Sequence, residues 1–227
     1  MFRHDDPLPS RGWILRINCY IDGFNLYHSV VDIAKNKTPP ENYLKWVNLR
    51  ALTNCFVDPN DTLHDVYYFT AFAKHVFDAY KRHEKYIAAL KHHGVTTIHG
   101  QFKKKHPRCK NCNTQYITHE EKESDINVAL EILQHAYEDR FDKAYLITAD
   151  SDLLAIIKKI KAIFPTKEIV LLVPPGRMKH SSALRNSVNK FYEIKKTDLK
   201  SSLLPDQITL LDGTIVTRPP EYTPPST

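Results

Sequence analysis

Short apolar segments alternate with amphipathic segments along most of this chain. Runs of apolar, aromatic and β-branched residues predict strands at 16–22, 65–73, 95–102, 143–148, 168–173 and 190–194. Apolar residues that recur every three to four positions predict helices at 24–35, 46–55, 77–93, 124–137, 152–163 and 180–188. This alternation predicts an α/β fold, in which helices cover both faces of a mostly parallel sheet.

Two of the predicted helices have a clear inward face. Ser124 is expected to cap the first of them, because its side chain can accept a hydrogen bond from a free backbone N–H. The period of that helix predicts an inward face of Ile126, Ala129, Leu130, Leu133, Ala136 and Tyr137. The helix at 152–163 should be buried through Leu153, Ile156, Ile157 and Ile160.

The C-terminal part of the chain differs in composition from the rest. Five of the fourteen prolines lie within 202–227, and Asp212-Gly213 between two apolar runs is typical of a hairpin turn. We therefore predict one domain at 15–195, followed by a peripheral hairpin and tail at 196–227.

Length and composition are those of a globular protein. The 227 residues, 42% of them hydrophobic, suffice for one α/β domain with a sizeable core. No apolar run approaches the ~18 residues of a membrane span, and residues 1–13 lack the apolar core of a signal peptide. We expect a cytoplasmic protein without membrane association, and a homodimer is compatible with the sequence.

Positive charge is concentrated in two segments. The net charge is +6 and the sequence pI about 9.0, which weakly favours an anionic partner. Basic residues crowd the segment 103–120, namely Lys103, Lys104, Lys105, Arg108 and Lys110. A second group, Arg177 and Lys179, follows the strand at 168–173. Each segment is either a solvated loop or a phosphate-binding surface.

The four cysteines divide into two pairs. Cys19 and Cys55 lie in a strand and at a helix end, where buried thiols are expected. Cys109 and Cys112 form a CxxC motif, which suits two corners of a tetrahedral zinc site. His106 and His119 are the predicted third and fourth ligands, and His99 competes with them. Free thiols or a redox pair are the alternatives to a structural Zn²⁺ ion in this segment.

Aspartates fall where the predicted strands end and the helices begin. Asp22 closes the first strand, Asp150 and Asp152 follow the strand at 143–148, and Asp125 opens the helix after Ser124. Each alone could simply cap a helix. Because ligands bind at the carboxyl ends of parallel strands, we expect these acids to share one crevice. Their mutual repulsion would be relieved by Mg²⁺ or Mn²⁺, which suits hydrolysis at phosphorus.

Three segments resemble the NYN domains of the PIN-like nuclease superfamily: YIDGFNLY at 20–27, HEEKESDINVALEIL at 119–133 and AYLITADSDLLAIIKKI at 144–160. The resemblance covers about residues 15–195. It implies a PIN-like three-layer α/β/α sandwich and metal-dependent cleavage of RNA, with single-stranded RNA as the expected partner.

The resemblance also implies roles for particular residues. The acidic metal site would consist of Asp22, Asp125, Asp150 and Asp152. Asn25 matches the asparagine that the family carries after its first strand, and would hydrogen-bond an acid or a substrate phosphate. Ser151 would cap the helix opened by Asp152 or orient a phosphate. Glu121 could reach the metal through water, and Ala149 stands where the family commonly has glycine.

RNA contacts are predicted beside this site. The phosphates of the RNA would bind Lys103, Lys104, Lys105, Arg108 and Arg177. Tyr27, Phe102 and Tyr116 could stack on bases, although a helical tyrosine such as Tyr27 more often packs in a core.

Two other functions compete with a ribonuclease. A relative that only binds RNA or protein would keep the fold without turnover, although a phosphate-binding surface gains nothing from unpaired carboxylates. A phosphatase acting on small esters is disfavoured, because residue 24 is phenylalanine where a DxD motif would have its second aspartate.

Overall fold

The computed structural model of the protein describes residues 14–225. Residues 1–13, whose composition underlies the predicted location, lie outside this range, as do 226–227. The strands are β1 (Arg16–Asp22), β2 (Thr62–Thr70), β3 (Val95–His99), β4 (Gln101–Lys105), β5 (Thr118–Lys122), β6 (Lys143–Ile147), β7 (Glu168–Val173), β8 (Lys190–Glu193), β9 (Gln207–Thr209) and β10 (Ile215–Thr217).

Helices occupy most of the connections between these strands. They are α1 (Gly23–Lys35), α2 (Leu49–Asn54), α3 (Phe77–His92), α4 (Ser124–Tyr137), α5 (Leu154–Ile163), α6 (Ser182–Arg185) and α7 (Lys196–Ser201). Short 3₁₀ turns lie at Asn42–Lys45, Ser151–Leu153, Met178–His180 and Pro220–Tyr222.

Six strands form one parallel sheet in the order β3-β2-β1-β6-β7-β8. The strands β2 and β3 follow β1 toward one edge of the sheet, and β7 and β8 follow β6 toward the other edge. The strand order therefore reverses between β1 and β6. Crevices at such a reversal are where open α/β sheets bind ligands. The predicted α/β fold with a parallel sheet is confirmed.

Two cores lie on opposite faces of the sheet, because side chains alternate along each strand. Ile17, Cys19 and Ile21 of β1 belong to the core that α1, α2 and α3 cover. Tyr20 points to the other core, which α4, α5 and α6 cover. The predicted three-layer α/β/α arrangement is therefore present.

The predicted inward face of α4 is wrong in part. Ile126, Leu130 and Tyr137 are 63%, 59% and 64% exposed, whereas Val128, Ile132, His135 and Ala136 are buried. Apolar residues occur on more than one side of this helix, so period alone does not identify its buried side. His135 is retained inside because its Nδ1 lies 2.9 Å from the hydroxyl of Tyr20. The predicted inward face of α5 is confirmed, since Leu153, Ile156, Ile157 and Ile160 are buried.

The segment predicted as one strand at 95–102 is divided at Gly100. A Cβ at Gly100 would lie 2.5 Å from the carbonyl oxygen of Lys122, so only glycine fits this close approach. The chain then leaves the main sheet, and β4 pairs with β5 in antiparallel register. The basic segment predicted as a loop at 103–120 is thus largely the tip of a hairpin, called the basic hairpin below (101–122).

Two smaller predictions have mixed outcomes. Cys19 is buried as expected, whereas Cys55 is exposed because it lies at the C-terminal end of α2. The hairpin turn at Asp212-Gly213 is confirmed, with Gly213 at φ +82° between β9 and β10. Although the sequence predicts a peripheral hairpin, its Ile208 and Val216 are buried in the first core.

Candidate metal centre

Three carboxylates meet at the carboxyl ends of β1 and β6. Asp22 is the last residue of β1, Asp150 follows β6, and Asp125 lies in the first turn of α4. Each offers one oxygen, and these three oxygens lie within 4.8 Å of one another. They will be called the acidic triad. The expected convergence of these acids in one crevice is therefore seen for three of the four.

Asp22 is buried and held by two hydrogen bonds. Its Oδ1 accepts from the backbone N–H of Asn25 at 3.0 Å, and its Oδ2 accepts from the hydroxyl of Thr148 at 2.9 Å. The same Thr148 oxygen accepts from the backbone N–H of Asp150 at 3.0 Å. These contacts fix the orientation of Asp22 and connect the start of α1 to the chain that leaves β6.

Asn25 makes a contact that the sequence did not predict. Its Oδ1 accepts a hydrogen bond from the backbone N–H of Ala149 at 3.0 Å. Asn25 therefore positions the backbone between Thr148 and Asp150 rather than binding a carboxylate through its side chain. Because the donor is a backbone N–H, alanine at position 149 serves this contact as well as glycine would.

The acidic triad is electrostatically costly. Burial raises the pKa of Asp22 to about 6, the charges of Asp125 and Asp150 add to this rise, and the hydrogen bonds from Asn25 and Thr148 oppose it. Partial burial also raises the pKa of Asp125, and the nearby Asp150, Glu121 and Asp152 contribute. Carboxylates whose pKa values rise in this way favour a bound cation.

Asp152 and Ser151 lie at the rim of the site. Both are exposed, and Asp152 is not one of the three carboxylates that converge. The backbone N–H of Asp152 donates to Oδ1 of Asp150 at 2.9 Å. The predicted capping role of Ser151 is wrong, because Asp150 caps the turn Ser151–Leu153.

The start of α4 is also capped differently from the prediction. Oε1 of Glu121 accepts from both the backbone N–H, at 3.2 Å, and the hydroxyl of Ser124. Ser124 is buried and already helical, and Glu123 before it adopts a left-handed conformation at φ +80°. Glu121 thus sets the position from which α4 presents Asp125, and it also lines the crevice.

Basic and imidazole side chains complete the crevice. Arg177 lines it as predicted and forms an ion pair with Asp32 of α1. His28 and His180 also line it, and neither is predicted from the sequence. His28 lies three positions after Asn25, which places both on one side of a helix and was a usable signal.

The basic hairpin is partly neutralised by Glu120 and by Glu123, which directly follows it. Nζ of Lys103 lies 3.9 Å from Glu123, Lys105 pairs with Glu120, and Lys122 lies 2.6 Å from Glu120. The hairpin adjoins the crevice through Phe102, whose ring centroid lies 5.7 Å from that of Phe24. Lys104 and Arg108 are exposed on the hairpin.

The four residues predicted to bind zinc lie on the same hairpin. The backbone N–H of Cys109 donates to the carbonyl of Thr114 at 2.9 Å, and a hydrogen bond from Thr114 lowers the pKa of the Cys112 thiol. His119 stacks on His75 with centroids 3.7 Å apart, while His106 follows β4. Within residues 14–225, the acidic triad is the only cluster whose ligand atoms converge, so the zinc site stays a prediction.

Comparison with known proteins agrees with the fold. The family description that matches the sequence is the NYN domain, over residues 16–195. No curated protein matches the chain closely enough to count as a relative. A crystal structure of a protein of unknown function from Vibrio parahaemolyticus is similar, with a TM-score of 0.53 and 15% identity, over 87% of this chain and 100% of that one. Within residues 14–225, no helix has both the length and the apolar composition needed to cross a bilayer.

Proposed function

Because the chain belongs to the NYN domain family, we propose that it is a metal-dependent ribonuclease that hydrolyses phosphodiester bonds of single-stranded RNA. The observation that carries this proposal is the acidic triad, which lies where the sheet order reverses. A crevice that only bound phosphate would be weakened by three carboxylates, since both carry negative charge.

The acidic triad fits a divalent cation. Mg²⁺ prefers oxygen ligands at about 2.0–2.1 Å in octahedral geometry and keeps several waters, which matches a site of few carboxylates. The three oxygens lie within 4.8 Å of one another. Two ligands of one Mg²⁺ ion are at most about 4.2 Å apart, so small side-chain movements are enough to bring the oxygens around one ion. Burial raises the pKa of the Asp22 carboxyl group to about 6 in spite of its two hydrogen bonds, and a bound cation would favour the ionised form. Mg²⁺ or Mn²⁺ is therefore the proposed cofactor.

The residues of the crevice have different roles in the proposed reaction. Asp22, Asp125 and Asp150 would hold the cation, which would supply a Lewis acid at phosphorus and lower the pKa of bound water. Thr148 and Asn25 fix the chain that carries Asp150. Asp152, at the rim, would act on the site through its charge and through water.

Substrate phosphates have cationic neighbours on both sides of the acidic triad. Arg177 and His180 lie in the crevice and can donate hydrogen bonds to phosphate oxygens. Lys104 and Arg108 of the basic hairpin would bind the RNA backbone farther out, joined by Lys103 and Lys105 once their glutamate contacts are exchanged for phosphate.

The test compares Asp150→Asn with the wild type on single-stranded RNA in Mn²⁺. Asparagine can still cap the following turn, so the fold should be retained while a ligand charge is lost. We expect cleavage to fall by at least about 100-fold, whereas the control Asp212→Asn in the C-terminal hairpin should cleave normally. Unchanged cleavage in Asp150→Asn would reject the site.

Other outcomes separate the competing functions. RNA binding without metal-dependent products would identify a binding module, and hydrolysis of a generic phosphomonoester without action on RNA would identify a phosphatase. Single-stranded DNA of the same sequence tests whether the substrate must be RNA.

A further inference from the structure

A second cavity lies beside the acidic crevice, on the other side of Phe24. It has a volume of about 160 Å³ and is bounded by α1, the end of β2, α3 and the turn Pro220–Tyr222. Aromatic rings make up much of its wall, namely Phe24, Tyr27, Tyr68, Tyr86, Phe102 and Tyr222. It will be called the aromatic cavity.

The size of the aromatic cavity suits one planar ring. A protein cavity of about 150 Å³ can hold benzene, which has the ring size of a pyrimidine. Tyr68 shapes the wall beside Gly23, where an added Cβ would come within 2.7 Å of the tyrosine ring. A glycine here allows the start of α1 to pack directly against an aromatic side chain.

The charges around the aromatic cavity favour a neutral or electron-rich ring attached to an anion. Lys45 and Arg82 line it, and within the described part of the chain no carboxylate does. Arg82 is paired with Glu221 at 2.9 Å, so Lys45 is the cation that favours an anion here. Nζ of Lys45 lies 5.9 Å from the ring centroid of Tyr27 and 5.7 Å from that of Tyr222. Burial lowers the pKa of Lys45, helped by the charges of Lys35 and Arg82. An anionic group nearby would compensate this lysine.

The aromatic cavity adjoins the acidic crevice, both in the chain and in space. Phe24 lines both, with the metal ligand Asp22 two residues before it and Gly23 between them in the wall of the cavity. A ligand with a phosphate at the acidic triad and an aromatic ring beside it could therefore use both spaces. An RNA nucleotide has these two parts.

We propose that the aromatic cavity binds one unpaired nucleobase next to the phosphodiester bond that is cleaved. This inference rests on the proposed function for the position of the cut, but the cavity should take up a base even if no bond is hydrolysed. Tyr27 and Phe102 stack on the base, and Lys45 binds a phosphate of the same strand. A duplex would be excluded, because its bases are already stacked and paired.

The test fills the aromatic cavity by Ala79→Leu, since Ala79 of α3 lies in its wall. Ala162→Leu on the exposed side of α5 is the matched control. The substrates are a labelled single-stranded RNA and a series in which one nucleotide at a time is abasic. Stacking one base is worth about 1–3 kcal/mol, so an abasic nucleotide at one position should lower wild-type kcat/KM by about 5- to 150-fold.

On intact RNA, the kcat/KM of Ala79→Leu should be lower than that of the wild type by about the same factor. An abasic nucleotide at that position should not lower it further. Ala162→Leu should behave as the wild type. If wild-type cleavage responds equally to abasic nucleotides at every position, the inference is overturned while the proposed function stands.

Binding in EDTA separates the two proposals. If the wild type cleaves no RNA in Mn²⁺, the nuclease is rejected. Weaker binding of intact RNA by Ala79→Leu in EDTA, with no difference for RNA that is fully abasic, still supports the cavity in that case. Equal binding by Ala79→Leu and the wild type overturns the inference. Tyr27→Leu, at a half-exposed ring, repeats each comparison if Ala79→Leu does not fold.

Discussion

Replacing Asp22 by asparagine should stabilise the protein in the absence of metal. The carboxyl group is buried, and its pKa rises from 3.8 to about 6 in the folded state. One pKa unit corresponds to about 1.4 kcal/mol, so ionised Asp22 costs the folded state about 3 kcal/mol. Asparagine can still accept the N–H of Asn25 and can donate to Thr148, yet it cannot ionise.

The stabilisation by Asp22→Asn should depend on pH. Below about pH 4 Asp22 is protonated in both states, so its ionisation costs nothing. Between about pH 4 and 6 the unfolded state loses the proton first, and the metal-free wild type loses stability as pH rises. Above about pH 6 Asp22 is ionised in both states, and the full difference in stability between the wild type and Asp22→Asn is present and stays constant.

Urea unfolding in EDTA at several pH values measures this difference. Asp22→Asn should exceed the wild type by about 2–3 kcal/mol at pH 7.5 and match it near pH 4, while Asp212→Asn should stay within about 0.5 kcal/mol at both. Added Mn²⁺ should stabilise the wild type more than Asp22→Asn. An asparagine variant that is no more stable at pH 7.5, with no dependence on pH, would refute the view that the acidic triad needs a cation.

Three further variants or measurements test other parts of the structure. Ile132→Ala should lower the free energy of unfolding by about 2–4 kcal/mol and Ile126→Ala by under about 0.5, because only the first removes buried atoms; equal losses would contradict the observed orientation of α4. Gly23→Ala should cost at least about 2 kcal/mol in urea unfolding, since its Cβ would collide with the carbonyl of Phe69; no loss would show that the helix start can move. Metal analysis of protein purified without chelator should find about one zinc per chain, and zinc-free protein with freely titrating hairpin thiols would contradict the zinc prediction.

Two members of the acidic triad could be placed from the sequence, because the ends of their strands could be predicted. Asp22 and Asp150 directly follow apolar runs, and parallel strands bring their carboxyl ends together. Asp125 follows a strand of the basic hairpin instead, so strand ends alone could not place it. The sequence identified Asp125 as the start of a helix, and the resemblance made it part of the metal site. Both the strand end and the resemblance suggested Asp152, which lies at the rim.

Two of the differences between prediction and structure have a common physical cause, which is contact between residues distant in the sequence. His135 is buried because Tyr20, 115 residues earlier, hydrogen-bonds it. Asn25 bonds the backbone of Ala149, 124 residues later. Local period and helix-capping rules use only neighbouring residues, so they placed part of the inward face of α4 on the wrong side and could not predict the hydrogen bond between Asn25 and Ala149.

The glutamates of the basic hairpin affect how the protein should respond to ionic strength. Each phosphate that a protein cation neutralises releases condensed counterions, and log K falls with log salt in proportion to the number of such contacts. Lys103, Lys105 and Lys122 already face Glu120 or Glu123. The slope of log K against log salt should therefore correspond to fewer phosphates than the hairpin has basic residues. RNA binding would then depend less on counterion release than on contacts in the acidic crevice and the aromatic cavity.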